Sequence, residues 1–254
     1  MKKFVSLCLK ISLLSSLAVS PAFGQEASDI LEKMIEARGG KKILEEIRDM
    51  TLSGTMKVAQ TGMSGTMIIY YKKPDKLRQD IEVRGAVFTS SFDGKTAWRT
   101  DPQTGSPEEL SGRDKEKAKR NALDYSYAAL LHPERFGIFY TFKNRENIGS
   151  KDYFVLEQTF PDGSTTALYV DSQTYLIHKT KTTSTHPMTG MKAESETLIS
   201  DYKKVEGVLV AHAITISYDG VEFATIAVTG VKLNRGLEDS LFKPLFHEGR
   251  SRQV

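Results

Sequence analysis

From Asp49 onward the chain alternates apolar and polar residues with a period of two, and this narrows its possible folds more than any other feature. Leu52, Gly54, Met56 and Val58 alternate with Thr51, Ser53, Thr55 and Lys57, and Leu77, Ile81 and Val83 alternate with Arg78, Asp80 and Glu82. Successive strand residues point to opposite faces, so the pattern fits a sheet with one buried face. Similar runs predict strands at 66–72, 88–92, 96–99, 140–143, 153–160, 165–170, 176–182, 193–202, 208–218 and 222–233. Asp93-Gly94, Asp162-Gly163 and Asp219-Gly220 are tight-turn dipeptides, so the connections are local hairpins and the sheet an antiparallel meander. Roughly twelve strands follow, and because strand twist accumulates, a sheet of that size is expected to curl.

Helical spacing replaces this pattern in two places. Ile30, Leu31, Met34 and Ile35 form one apolar stripe, with Asp29 and Glu32 placed as a capping box and Gly39-Gly40 as the stop. A second short helix is expected from Lys41 to Ile47. After a polar, loop-like stretch from Ser106 to Arg113, residues Lys115 to Leu131 read as one helix with Ala122, Leu123, Tyr127, Leu130 and Leu131 on its apolar side, ended by Pro133. The expected class is therefore α+β, mainly antiparallel β, with a strongly curved sheet and helices gathered on its concave face.

The first residues predict export. Met1-Lys2-Lys3 is a positive n-region, an apolar stretch runs from Phe4 to Val19, and Ala22-Phe23-Gly24 offers small residues at the positions a signal peptidase inspects. Lys10 leaves only Ile11 to Val19 uninterrupted, about half of the ~20 residues that span a bilayer. The expectation is a signal peptide at 1–24, cleavage before Gln25, and a single domain at 25–254 in the periplasm. Cys8, the one cysteine, precedes most of the apolar core, unlike the cysteine of a lipoprotein signal, and leaves with it. Disulfides, thiol catalysis and cysteine-ligated metals leave with it too. The whole chain carries 35 basic and 32 acidic residues, and the signal holds Lys2, Lys3 and Lys10 without an acid, so the mature chain has no formal net charge. A nucleic-acid partner is not expected from that balance, and the basic run Arg113 to Arg120 reads as a solvated helix face.

Enzymatic chemistry finds little to rest on. His132, His178, His186, His212 and His247 include no pair at the spacing of a helical zinc site, and no nucleophile elbow, Walker loop or dinucleotide fingerprint is present. His178 and His212 fall in expected strands, where a surface or satisfied histidine is commoner than a general base, although folding could bring a carboxylate to either. No metal, cofactor or catalytic residue is expected. Apolar bulk is plentiful: Met50, Met56, Met63 and Met67 gather near Ile68, Ile69, Tyr70 and Tyr71. That is either ordinary core packing or the lining of a cavity in which flexible methionine and amphipathic tyrosine adapt to an acyl chain.

Several segments, in order along nearly the whole mature chain, resemble the outer-membrane lipoprotein carrier (LolA-like) superfamily and its lipoprotein-sorting relatives. They are Tyr71-Lys72-Lys73-Pro74-Asp75-Lys76-Leu77-Arg78, then Phe92-Asp93-Gly94-Lys95-Thr96-Ala97-Trp98 with Asp101-Pro102, then Leu168-Tyr169-Val170-Asp171 with Thr174-Tyr175-Leu176. Gly207-Val208-Leu209-Val210 and Leu237-Glu238-Asp239-Ser240-Leu241-Phe242-Lys243-Pro244 complete the series. The resemblance implies an unclosed β-barrel with helices covering its hollow, and a monomeric, non-enzymatic periplasmic carrier for lipids or lipoprotein acyl chains. Inner- or outer-membrane lipoprotein-transfer proteins would be its partners. An envelope-stress sensor or adaptor that binds a membrane protein is the alternative within the same fold. Alternation and hydrophobicity nominate Met56, Ile69, Tyr71, Ile81, Val83, Phe88, Trp98, Phe154, Leu156, Leu168 and Val170 as cavity residues. Lys73 stands where the family's carriers place an arginine beside proline to hold the lid and govern release, and lysine lacks that planar fork.

Overall fold

The structure is a computed structural model that describes residues 21–244, with side chains from residue 26. The expected signal peptide lies outside the described residues except for 21–24, whose backbone opens the first helix. Two helices, α1 (Pro21–Arg38) and α2 (Lys41–Glu46), precede six strands: β1 (Asp49–Val58), β2 (Ser64–Lys72), β3 (Lys76–Val83), β4 (Ala86–Phe92), β5 (Ala97–Thr100) and β6 (Pro107–Leu110). Then come α3 (Gly112–Asp124), α4 (Tyr127–Leu131) and a 3-10 turn, Pro133–Phe136. Seven strands follow: β7 (Phe139–Ile148), β8 (Lys151–Thr159), β9 (Thr165–Asp171), β10 (Ile177–Thr185), β11 (Lys192–Val205), β12 (Val208–Tyr218) and β13 (Val221–Leu233). A second 3-10 turn, Asp239–Phe242, lies near the C-terminus.

All thirteen strands form one antiparallel sheet in the order β6-β5-β4-β3-β2-β1-β13-β12-β11-β10-β9-β8-β7. The sheet is two meanders, β1–β6 and β7–β13, fused where β1 pairs with β13. Its edges, β6 and β7, do not pair with each other, so the curved sheet stays unclosed, as expected.

Four sequence expectations are corrected. The first helix does not start at Asp29: Ala27 is 2 % exposed and extends the stripe of Ile30 and Met34 one turn further back, so helix continues there. The loop-like stretch after Ser106 contains β6, a short polar edge strand whose charged residues mask its period. The single helix from Lys115 to Leu131 is two, because the Ser126 hydroxyl accepts a hydrogen bond from the Ala129 N–H and caps a new helix at that point. And β7 runs on to Ile148 through Lys143-Asn144-Arg145-Glu146, polar residues of the other sheet edge that hide its continuation.

Register divides the residues between two faces. Met50 pairs with Tyr71, Tyr71 with Leu77, Leu77 with Phe92 and Phe92 with Ala97, while Tyr70, Arg78, Ser91 and Trp98 pair in turn on the other face. The first set packs with Leu44, Ile47, Ala122 and Tyr127 of the helical segments, which marks it as the concave face. A second cluster seats Ala27, Ile30 and Met34 of α1 on Phe142, Phe154, Leu156, Leu168 and Val170. Within the first cluster the β1–β13 pairing is irregular at Ser53/Gly54, and a side chain at Gly54 would collide with the Ala227 carbonyl.

The fusion of the two meanders is fastened at one end by Asp49, which is 3 % exposed. Its carboxylate accepts backbone N–H bonds from Arg235 (2.8 Å), Gly236 (2.9 Å) and Leu237 (3.3 Å), and its carbonyl accepts one from Asn234 (2.9 Å). Charge-assisted bonds of this kind are the strong ones, and their loss strands buried donors. Asp49→Ala should therefore lower unfolding stability by about 3 kcal/mol, read as an earlier midpoint in urea denaturation.

Candidate functional site

Burial changes systematically along the concave face. Near the α2 end the strands are packed solid: Met50, Leu52, Ile69, Tyr71, Leu77 and Leu233 are each 7 % exposed or less. Toward the hairpins joining β1 to β2, β3 to β4 and β12 to β13 the same face opens. Ile214 pairs with Ile226 and Ile226 with Met56, all partly exposed, and Met67 pairs with Ile81, which pairs with Phe88, exposed by 41 %. Val83 is partly exposed beside them. The concave face is thus filled at one end and exposed at the other.

The sequence-nominated residues divide accordingly. Met56, Ile81, Val83 and Phe88 line the open end. Ile69 and Tyr71 belong to the filled end, and Phe154, Leu156, Leu168 and Val170 lie beneath α1. Trp98 stands on the outer face: its Nε1–H donates to the Phe242 carbonyl at 2.8 Å, and the Ser91 hydroxyl donates to the same oxygen at 3.0 Å. There it binds the C-terminal 3-10 turn to the sheet, with the Arg78 guanidinium 5.8 Å from its ring. Ile214 and Ile226 were not nominated, although their period-two placement opposite Met56 could have been read once β1 was known to neighbour β13.

Tyr71 is wholly buried and its hydroxyl is polar glue for the helical segment. It donates to the Pro74 carbonyl at 3.1 Å and lies 3.2 Å from the Ser126 hydroxyl, which itself donates to Pro74 at 2.6 Å. Burial pushes the Tyr71 phenol up to about 12, against the Ser126 hydrogen bond. Lys73 sits next door, before a cis proline, and its Nζ donates to the Glu45 carbonyl of α2 at 3.1 Å. The clasp thus holds α4 and α2 to the turn between β2 and β3.

The α3–α4 break carries a second polar group. Asp124 is exposed at its edge, but the protein packed around its carboxyl displaces enough water to raise it to about 7, while Arg120 pulls the other way. Tyr125 and Tyr140 lie close by, their phenols raised mainly by burial and further by Asp124. Since Tyr140 is on β7 and Gln79, which hydrogen-bonds Tyr125, is on β3, the break stands between the two halves of the sheet. His178 and His212 sit in the sheet: His178 stacks on Tyr153 at 5.2 Å, and the His212 Nδ1 is 2.9 Å from the Val210 carbonyl of its own strand. Among the described residues no three His, Cys, Asp or Glu side chains gather as metal ligands would, and no helix is long and apolar enough to cross a membrane.

An unclosed antiparallel barrel with helices on its concave face is the fold of LolA-like proteins, and the structural comparisons agree. A LolA superfamily protein from Nitrosomonas europaea superposes with a TM-score of 0.59 at 17% identity, over 85% of this chain and 97% of that one. An outer-membrane lipoprotein-sorting protein domain from Vibrio parahaemolyticus, described as putative in its name, gives 0.57 at 16% identity over 86% and 97%. A DUF1329 family protein from Desulfovibrio piger gives 0.56 at 14% identity over 85% and 97%. No protein-family model and no curated protein matches the sequence.

Two outcomes test this geometry. Ser126→Ala removes both the cap of α4 and its bond to Pro74, and should cost about 1–2 kcal/mol in urea denaturation, with faster amide exchange in 127–131. Asp124 has a folded-state pKa above its unfolded value of about 4, so ionising it costs stability as pH rises from there through about 7. Asp124→Asn should flatten that decline when denaturation midpoints are compared at pH 5 and pH 8.

Proposed function

We propose that the protein is an exported, non-enzymatic binding protein of the periplasm that shelters lipid or lipoprotein acyl chains, in the manner of outer-membrane lipoprotein sorting. On this reading residues 1–24 are removed, and 25–254 act as one monomeric domain that exchanges its cargo with lipoprotein-transfer proteins of either membrane. The observation that carries the proposal is the concave face: mainly apolar, with Gln79, Ser90 and His212 as polar interruptions, filled beneath α2 and α4, and open along Met56, Ile81, Val83, Phe88, Ile214 and Ile226. Each methylene hidden from water is worth ~0.8 kcal/mol, so an acyl chain gains strongly from such a surface and cannot cross an aqueous compartment without one. The fold supports the same reading, as does the sheet's unclosed seam between β6 and β7, which leaves the helices free to shift without breaking a strand ladder.

The mature protein should take up a fluorescent fatty acid and co-purify with lipid. Met56→Asp and Phe88→Asp, at partly exposed positions, should each weaken uptake by about tenfold or more while leaving the circular dichroism spectrum unchanged. Failure of the wild-type protein both to bind the probe and to carry lipid would overturn the proposal. Recovery of one integral membrane protein in a pull-down, with no lipid present, would favour the sensor or adaptor.

A further inference from the structure

Arg38, the last residue of α1, is a partly buried cation whose hydrogen bonding is incomplete. Its Nε is buried without a hydrogen-bond partner, and its Nη2 donates to the Tyr127 hydroxyl at 3.3 Å. The guanidinium carbon lies 5.5 Å from the centre of the Tyr127 ring, and no carboxylate among the described residues forms an ion pair with it. Nor does it cap its own helix: the Ile35 and Glu36 carbonyls accept from the Gly40 and Gly39 N–H groups. A guanidinium always carries its charge, and burying it with an unsatisfied donor is costly unless something else completes the site.

The neighbouring hydroxyls indicate what completes it. Tyr127 accepts from Arg38 and keeps its own proton to donate, since no acceptor takes it among the described residues. Tyr202, the other phenol close to Arg38, already donates to the Ile177 carbonyl at 2.7 Å. The vacant Nε–H, the guanidinium charge and the Tyr127 O–H together make a set of donors without an acceptor, which matches an oxyanion. The partial exposure of Arg38 as a whole gives such a group its approach.

We infer that Arg38 and Tyr127 form an oxyanion site that holds the carboxylate or phosphate head of an acyl amphiphile. Tyr127 belongs to the concave-face cluster against which Ile214 and Ile226 pack, and that apolar row continues to Met56. The head site and the apolar row therefore share one face of the sheet. The inference rests on the acyl-binding reading and adds to it a charged head recognised from within.

The test compares binding of a fluorescent fatty acid, the alcohol with the same chain and the corresponding lysophosphatidic acid, at pH 8, to mature wild-type protein, Arg38→Gln and Tyr127→Phe. Wild type should bind at least one of the two acids about tenfold more tightly than the alcohol, and the tighter acid identifies the head as carboxylate or phosphate. Arg38→Gln should abolish the preference and retain alcohol binding, which also reports an intact hollow. Tyr127→Phe, which keeps the ring, should reduce the preference severalfold. Equal binding of acids and alcohol by wild type, or a preference that survives Arg38→Gln, overturns the oxyanion site and leaves the acyl-binding reading standing. If wild type binds none of the three probes, it is the acyl-binding reading that falls, and the oxyanion site with it.

Discussion

Everything in this fold depends on the pairing of β1 with β13. Each meander can form from local hairpins, but the single thirteen-stranded sheet exists only once the two are joined along that seam. The pairing is long-range in sequence, from Asp49–Val58 to Val221–Leu233, so chain entropy opposes it and local propensity does not specify it. Asp49 offsets that cost by gathering the backbone donors of 235–237 on one buried carboxylate. The C-terminal 3-10 turn then folds back over the outer face onto Trp98, Ser91 and Arg78, tying the end of the chain to the first meander as well.

The helices divide the concave face of the joined sheet. Where α2 and α4 lie, apolar side chains from the helices saturate those of the strands, and polar clasps at Tyr71, Ser126, Pro74 and Lys73 keep the helices in place. Beyond them the strands continue without cover. The packed core and the exposed apolar surface therefore draw on the same face of the same strands, separated only by position along them. A substitution at Leu52 is a folding matter, whereas one at Met56, two residue pairs further on, alters the exposed lining.

Much of this was legible in the sequence because period-two alternation and Asp-Gly turns are local signals. They located nearly every strand, but which face of each strand is concave came only with the register, which puts Trp98 on the outer face. Trp98 went astray because its indole N–H is claimed by a carbonyl more than a hundred residues later, a contact without any local trace. The same limit explains the other gaps. Edge strands β6 and β7 are polar where the pattern should show, and Ser126 looks like an unremarkable helix residue until its hydroxyl meets Pro74. Arg38 reads as an ordinary basic residue at a helix end. Only the folded chain surrounds it with tyrosines and withholds a carboxylate.

The close approach at Gly54 has a consequence of another kind. Because the Ala227 carbonyl occupies the place a side chain would need, β1 and β13 meet there main chain to main chain. That contact belongs to the backbone, and the side chains of Met56, Ile81, Val83 and Phe88 take no part in it. Those side chains can be exchanged, larger for smaller or branched for linear, while the seam stays the same. Chains with little sequence in common could in this way retain one shape.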